Sequence, residues 1–274
     1  MCSNPSAIVL AVPPTNQNAA GLPVTVQLPD APLEMSPMLD ALNELFLRIG
    51  ALMDSERRFT ADAAHELRTP IAAIRTQAQV ALGESDPALR RHALQATLEG
   101  CDRASRLVDQ LLTLSRLDAA DFPALAVVEL GAVARRVVAD LAPWAIARQQ
   151  VLELDASATA LVRGDEVLLG ALLRNLVDNA VRYSPQGATV SLRIGVQQAR
   201  VRLVVEDGGP GLGEADLTRL GERFFRVLGT QETGSGLGWS IVQRIARVHG
   251  AEVRVDRSDR LGGLRVTVDW PAVA

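Results

Sequence analysis

From about Pro37 the apolar residues recur at three- and four-residue steps: Leu42, Leu45, Phe46, Ile49, Leu52 and Met53. The period continues to about Leu82. "GESDP" at 83–87 breaks it, and a second helical pattern follows through Leu94, Leu98, Cys101, Val108, Leu111, Leu112 and Ser115. Two long amphipathic helices with a short connection predict an antiparallel hairpin. With apolar seams on both helices, it is expected to dimerise into a four-helix bundle. After about Asp121 the texture changes. β-rich runs ("VLELD", "ATVSLRIGV", "ARVRLVVED", "AEVRVD", "LRVTVDW") alternate with helical patterns at 131–147, 165–184 and 237–249. This predicts an α/β sandwich with a mixed sheet, since the 188–196 and 200–207 runs are close enough to form a hairpin. The fold class expected is therefore multidomain, α followed by α+β.

The first 35 residues ("PPTNQNAAGLPVTVQLPDAP" among them) show no helical period and read as a flexible linker or the remnant of a truncated module. No apolar run approaches the 18 residues of a membrane helix, and "AIVLAV" at 7–12 has no basic flank to make a signal peptide. The chain by itself reads as soluble.

Composition narrows the classes further. Apolar residues make up 48 % of the 274, but aromatics only 3 %, so the cores must be built from Leu, Val, Ile and Ala. All 28 basic residues are Arg, which makes an Arg in a usual Lys position weak evidence of a changed role. A net charge of −4 and the lack of a basic tract argue against a nucleic-acid partner. Cys2 and Cys101 lie far apart, without the spacing of a disulfide scaffold or zinc site.

One of three histidines, His65, lies in "RRFTADAAHELRTPIAAIRTQ". On a helical wheel with His65 at zero, Phe59, Ala63, Leu67, Pro70, Ile71, Ile74, Ala78 and Ala81 fall between about 120° and 240°. His65 points away from this predicted buried stripe. Glu66 adjoins it, Thr69 shares its face, and Ala61, Ala72 and Thr76 surround it with little bulk. An exposed imidazole beside a carboxylate is a sound nucleophile, with the acid placed to take or orient its proton. Pro70 is expected to kink the helix just after the site.

"FTADAAHELRTPIAAI" resembles the phosphoacceptor box of two-component sensor histidine kinases, H-E-x-x-T-P. It is similar to the OmpR-linked class, and "ERRFTADAAHELRTP" is closest in wording to QseC-type sensors. The resemblance implies that His65 is autophosphorylated, that Glu66 assists as base or acid, and that Thr69 helps position water in a phosphatase reaction.

A phosphohistidine needs a donor, and four further stretches bear on it. "LLRNLVDNAVRYSP" (172–185) puts Asn175 and Asn179 about 40° apart, beside an arc of Leu172, Leu173, Leu176 and Ala180, with Arg182 and Tyr183 on the same edge. Two amides at that spacing can offer oxygens to a hard cation such as Mg²⁺, or can simply be a helix surface. "VVEDGGPGLG" (204–213) carries a strand into Asp207, where a carboxylate can accept from an adenine amino group; a plain Gly-rich turn is the alternative. "GERFFRV" (221–227) includes Phe224 and Phe225, ordinarily core residues, and Arg226, able to bond phosphate. In "GSGLGWSIVQRIARVHG", Gly234, Gly236 and Gly238 lead into a helix whose first N–H groups can hold phosphates.

Each stretch is ambiguous alone, but their order resembles the N, G1, F and G2 boxes of the histidine kinase ATPase domain, of the gyrase-type (Bergerat) superfamily. The resemblance runs from about Pro37 to the C-terminus. It implies that Asn175 and Asn179 coordinate Mg²⁺ and that Arg182, where the family usually has Lys, and Tyr183 border the nucleotide. By the same carry-over Asp207 reads the adenine, Gly209 and Gly211 shape its pocket, and Arg226, Gly234, Gly236, Leu237 and Gly238 flank the phosphates.

The domains implied are a linker at 1–35, a helical signalling segment at 36–58, a dimerisation and phosphotransfer domain at 59–120 and an ATP-binding domain at 121–274. Also implied are ATP and Mg as ligands, a homodimer, and a response regulator receiver domain as partner. This portion would lie on the cytoplasmic side of a full-length inner-membrane sensor. Two features depart from the pattern: only "VLGTQET" separates Arg226 from Gly234, and Trp239 replaces a smaller aliphatic. Three other readings compete: a mechanical or repair ATPase of the same superfamily, a phosphatase-dominant sensor, and a non-catalytic dimerisation scaffold.

Overall fold

The computed structural model describes residues 9–11, 25–27, 35–118, 125–220 and 236–273. By its contacts the chain divides into a unit of residues 1–69 and a unit of residues 70–274. In the first, β1 (Val9–Ala11) and β2 (Thr25–Gln27) pair antiparallel within the stretch expected to be linker. Helix α1 (Ser36–Gly83) begins in that unit and runs on into the second without ending at Pro70.

Helix α2 (Pro87–Asp118) opens as its sequence directs. Asp86 accepts from the amides of Ala88 at 2.7 Å and Leu89 at 3.4 Å, and Pro87 fills the first helical position, where no N–H is needed. Buried positions recur every seven residues along α2, at Ala93, Gly100, Leu107 and Leu114, and Gly100 faces Ile74 of α1. A Cβ on Gly100 would come within 2.6 Å of Ile74 Cγ1, so the missing side chain sets how closely the helices approach.

The buried stripe expected on α1 needs correction, whereas the apolar seam expected on α2 stays open to the outside. On α2, Leu94, Leu98, Cys101, Val108, Leu112 and Ser115 are exposed and Leu111 is half-buried. On α1, Phe59, Ala63, Leu67, Pro70, Ile74 and Ala78 are half-buried, Ile71 is exposed, and Ala81 alone is buried. A long helix can present two apolar stripes side by side. On α2 the buried stripe combines small residues, Ala93 and Gly100, with Leu107 and Leu114, while Leu94, Leu98, Val108 and Leu112 remain outward.

The lobe that follows starts with β3 (Ala126–Glu129), α3 (Leu130–Ala147), β4 (Val151–Asp155) and β5 (Leu161–Gly164). It continues with α4 (Glu166–Tyr183), β6 (Thr189–Gln197), β7 (Arg200–Glu206) and the short α5 (Glu214–Arg219). Helix α6 (Gly238–Val248), β8 (Glu252–Arg257) and β9 (Leu264–Pro271) complete it. Five strands form one sheet in the order β4-β6-β7-β9-β8, parallel only between β4 and β6. The expected mixed sheet is present. β6 turns into β7 through Gln198 and Ala199, both at positive φ, the geometry of a tight two-residue hairpin.

Period-two patterning assigns the sheet faces. Val201, Leu203 and Val205 on β7, and Val266, Val268 and Trp270 on β9, are buried. Arg202 and Arg265 alternate with them toward solvent. Helices α3 and α4 pack on each other and α4 packs on α6, with α4 lying on β6 and β7. Strands β3 and β5, which the sequence reading did not anticipate, pair antiparallel apart from the main sheet. They are too short, at four residues each, to show a period.

Candidate functional site

His65 is exposed on α1, Glu66 is half-buried, and the Thr69 hydroxyl donates to the His65 carbonyl over a long 3.4 Å. Thr69 therefore stands on the face that presents the imidazole. Pro70 has no N–H to give the Glu66 carbonyl, yet the helix is assigned without interruption across it. These three residues lie in the first unit and the nucleotide-type motifs in the second.

In the second unit α4 sets the spacing of the candidate ligands. Its core face, Leu168, Leu169, Leu172, Leu173, Leu176, Val177, Ala180 and Val181, is buried, and Asn175 and Asn179 sit half-buried beside it. Both amides converge on the start of α6. A Cβ on Gly238 would lie 3.0 Å from Asn175 Oδ1 and 3.7 Å from Asn179 Oδ1, so only glycine leaves that space open. Gly236 adopts φ +69, and buried Leu237 precedes the helix, its carbonyl accepting from Ile241 N–H and the Ser240 hydroxyl. Among the described residues no side chain caps α6, which leaves its first amides to meet an anion.

The donor chemistry fits a hard cation. Two neutral amide oxygens beside a helix N-terminus suit a small ion that keeps phosphate and water oxygens as its other ligands. Among the described residues no three His, Cys, Asp or Glu side chains cluster as a self-sufficient metal site.

Asp207, at the end of β7, is buried and held by backbone. Its Oδ1 accepts from Gly209 N–H at 2.8 Å and Leu264 N–H at 3.1 Å; among the described residues both bonds fall on that oxygen. Among the described residues Oδ2 accepts no hydrogen bond. Burial raises the Asp207 pKa above its ordinary value, and the two backbone donors oppose that rise.

The fit around Asp207 is tight. A Cβ on Gly263 would fall 2.1 Å from Asp207 Oδ1, and one on Gly209 would fall 2.8 Å from the Tyr183 carbonyl. Tyr183 thus borders the site through its backbone at the end of α4. Gly211 adopts φ +74 facing the carbonyls of Gly262 and Gly263. Arg182 donates to Asp178 at 2.8 Å and stacks 5.7 Å from the Trp144 ring centre, so its guanidinium is engaged on the α3 side. Arg226, Gly234 and the Phe pair lie outside the described residues.

Three contributors escaped the sequence reading. Gly263 and Leu264 clamp an aspartate 57 positions before Leu264; "GG" marked a turn there but named no partner. His249 joins the end of α6 to the start of α4. Its Nε2 accepts from the Asp165 N–H at 3.0 Å, so Nδ1 is the nitrogen that donates to Ile245 O at 2.7 Å. Asp165 in turn caps α4 through Leu168 N–H at 2.9 Å. Gln110 of α2 donates to Asn175 Oδ1 at 2.9 Å. No local pattern distinguishes that glutamine from a surface one.

Residues 55–120 match the His Kinase A (phospho-acceptor) domain family, and residues 164–274 match the family described as histidine kinase-, DNA gyrase B-, and HSP90-like ATPase. The chain is 46 % identical to the sensor protein QseC of Escherichia coli K12 over 87 % of its own length and 53 % of that protein's. It spans about half the length of the curated relatives of that name. Among solved structures it resembles the Acinetobacter baumannii histidine kinase AdeS, with a TM-score of 0.60 and 26 % identity over 77 % of this chain and 98 % of that one. It also resembles full-length ShkA in complex with AMPPNP, with a TM-score of 0.56 and 26 % identity over 80 % of this chain and 46 % of that one.

Proposed function

The chain belongs to the sensor histidine kinases, and from that premise we propose that it transfers the γ-phosphoryl group of ATP to His65. The observation that carries the reading is the pairing of chemistries in one chain. An uncrowded imidazole stands beside a carboxylate, and a separate lobe draws Asn175, Asn179 and Gly238 together and buries Asp207.

In the step, a ring nitrogen of His65 forms the N–P bond while the bond from phosphorus to the ADP oxygen breaks. Glu66 takes the imidazole proton, and ADP leaves with the electron pair. Asp207 orients the adenine by accepting from its amino group. Gly209, Gly211 and the Tyr183 carbonyl shape the pocket, and Gly236, Leu237 and Gly238 bring the α6 amides to the phosphates. Arg182 contacts phosphate by exchanging Asp178 for it, and Arg226 and Gly234 join from the intervening segment. Asn175 and Asn179 would hold Mg²⁺, which supplies neutralisation of charge on the transferring group. AMPPNP in the related ShkA structure, an analogue of ATP, supports the choice of nucleotide.

The phosphoryl group then passes to an aspartate of a response regulator receiver domain. In an opposing phosphatase reaction Thr69, with Glu66 beside it, places a water that attacks the regulator's aspartyl phosphate, forming inorganic phosphate and freeing the carboxylate. Residues 59–120 form the dimerisation and phosphotransfer domain, with the outward Leu94, Leu98, Val108 and Leu112 as its homodimer seam, and residues 121–274 the ATP-binding domain. Residues 36–58 connect to the sensor, and 1–35 precede them as linker. The chain acts on the cytoplasmic side of an inner-membrane sensor; among the described residues no helix is long and apolar enough to cross a membrane.

The test is incubation with Mg²⁺ and γ-labelled ATP. Acid-labile, base-stable label on the wild type, lost in His65→Gln with nucleotide binding intact, is the expected result. An unlabelled wild type that still binds nucleotide overturns the kinase reading.

A further inference from the structure

Helix α2 packs against the nucleotide lobe at α6 and is hydrogen-bonded to it. Arg244 Nη2 on α6 lies 3.4 Å from the Leu117 carbonyl of α2, and Gln110 Nε2 donates to Asn175 Oδ1 at 2.9 Å. The orientation of the Asn175 amide is set by its other end, since Nδ2 donates to the Ala171 carbonyl one turn back at 2.8 Å. Oδ1 is therefore the atom turned toward Gln110, and it is also the atom 3.0 Å from the space that Gly238 leaves open.

We propose that Gln110 and the nucleotide-bound cation compete for Asn175 Oδ1, so that seating α2 on the lobe weakens Mg-nucleotide binding and Mg-nucleotide binding unseats α2. This rests on the reading of Asn175 as a cation ligand given above. A small divalent ion approaches its ligand oxygens to about 2.0–2.1 Å. The amide oxygen has two lone pairs, but an N–H pointing at it brings a positive hydrogen beside the cation and crowds its approach, so each partner weakens the other. Coupling of this kind is reciprocal: whatever strengthens the grip of α2 lowers affinity for the metal-nucleotide by the same factor. The hairpin can thereby regulate the lobe through one hydrogen bond, with no contact to the nucleotide itself.

The experiment titrates the full chain with AMPPNP, once with Mg²⁺ and once with EDTA. Gln110→Leu removes the donor and is expected to tighten Mg·AMPPNP by about five-fold, the size of one neutral hydrogen bond lost from the competing state. Affinity in EDTA should stay as in the wild type. Gln110→Met keeps the length without a donor or a charge, guards against a packing fault in the leucine variant, and should shift affinity the same way. In the wild type, adding Mg·AMPPNP should speed amide exchange across residues 107–117 more than AMPPNP in EDTA does.

Unchanged or weakened Mg-dependent affinity in both variants overturns the proposal, as does unchanged exchange in α2. Asn175→Ala separates this failure from that of the underlying reading. If that variant keeps the full Mg-dependent gain, Asn175 is not a cation ligand and the inference falls with it. If the gain disappears while the Gln110 variants behave as wild type, only the competition is wrong.

Discussion

The helical hairpin and the α/β lobe treat their apolar residues in opposite ways. In the lobe nearly every aliphatic on β6, β7 and β9 that alternates inward is buried under α4 and its neighbours. On the hairpin Ala93, Gly100, Leu107 and Leu114 are buried along α2, while Leu82, Leu98 and Leu112 remain 88 %, 62 % and 54 % exposed. The lobe is a closed core. The hairpin is half of one, and its outer stripe calls for a second surface. The chemistry divides along the same line. On the proposed function, the exposed His65 can meet different partners in turn, and the buried Asp207 can give specificity for one ligand through a fixed, desolvated group.

The double substitution Leu98→Glu with Leu112→Glu strikes hardest at this contrast. It places four charges in a symmetric seam, where each leucine contributes about 1.5–3 kcal/mol on burial. A homodimer should weaken by more than about a thousand-fold in sedimentation, with the melting of the isolated lobe signal unchanged. A dimer of undiminished affinity would show that the outer stripe is covered by something else.

Asp207→Asn tests the buried side. Replacing the acceptor by a donor should cost about 10- to 100-fold in AMPPNP affinity, the range of a charged hydrogen bond. It should also change the pH dependence of stability. The folded state raises the Asp207 pKa above the ordinary 3.8, chiefly by burial. It therefore holds more protons than the unfolded chain as pH rises past that value, and this carboxyl lowers stability across that window. In the asparagine variant that loss is absent, which denaturant titrations between acid and neutral pH would reveal. An unaltered slope would mean that Asp207 titrates alike in both states.

Gly263→Ala has the smallest expected effect and the sharpest location. Its Cβ would sit 2.1 Å from Asp207 Oδ1 and 2.5 Å from the Asp207 carbonyl. The turn must shift, destabilising the lobe by about 1–3 kcal/mol and loosening nucleotide binding. Thermal melting and AMPPNP titration measure both. Retained stability with full affinity would place the clamp on Asp207 elsewhere.

Much of the architecture was legible along the chain. The 3.6-residue period at 37–82, the "GESDP" break with its cap at Asp86, and the period-two strands read directly onto α1, α2 and the sheet. So did the spacing of Asn175 and Asn179, because residues four apart on a helix share a face whatever surrounds them. Strands β3 and β5 were not legible, being too short for a period and defined only by each other. The close approach of α2 to α1 was not legible for a related reason. Hydrophobicity marks which residues avoid water, but Gly100 against Ile74 shows that small residues were chosen for the close helix contact.

The sequence by itself therefore determined the long helices, the period-two strands, the exposed face of His65 and the order of the candidate nucleotide boxes, all of which depend on local periodicity and residue type. Tertiary structure alone decided that Gly263 and Leu264 would clamp Asp207, that His249 would tie α6 to the cap of α4, and that Gln110 would bond Asn175. Those contacts join residues dozens of positions apart through single hydrogen bonds, and a hydrogen bond between distant residues leaves no pattern in either segment until folding brings donor and acceptor together.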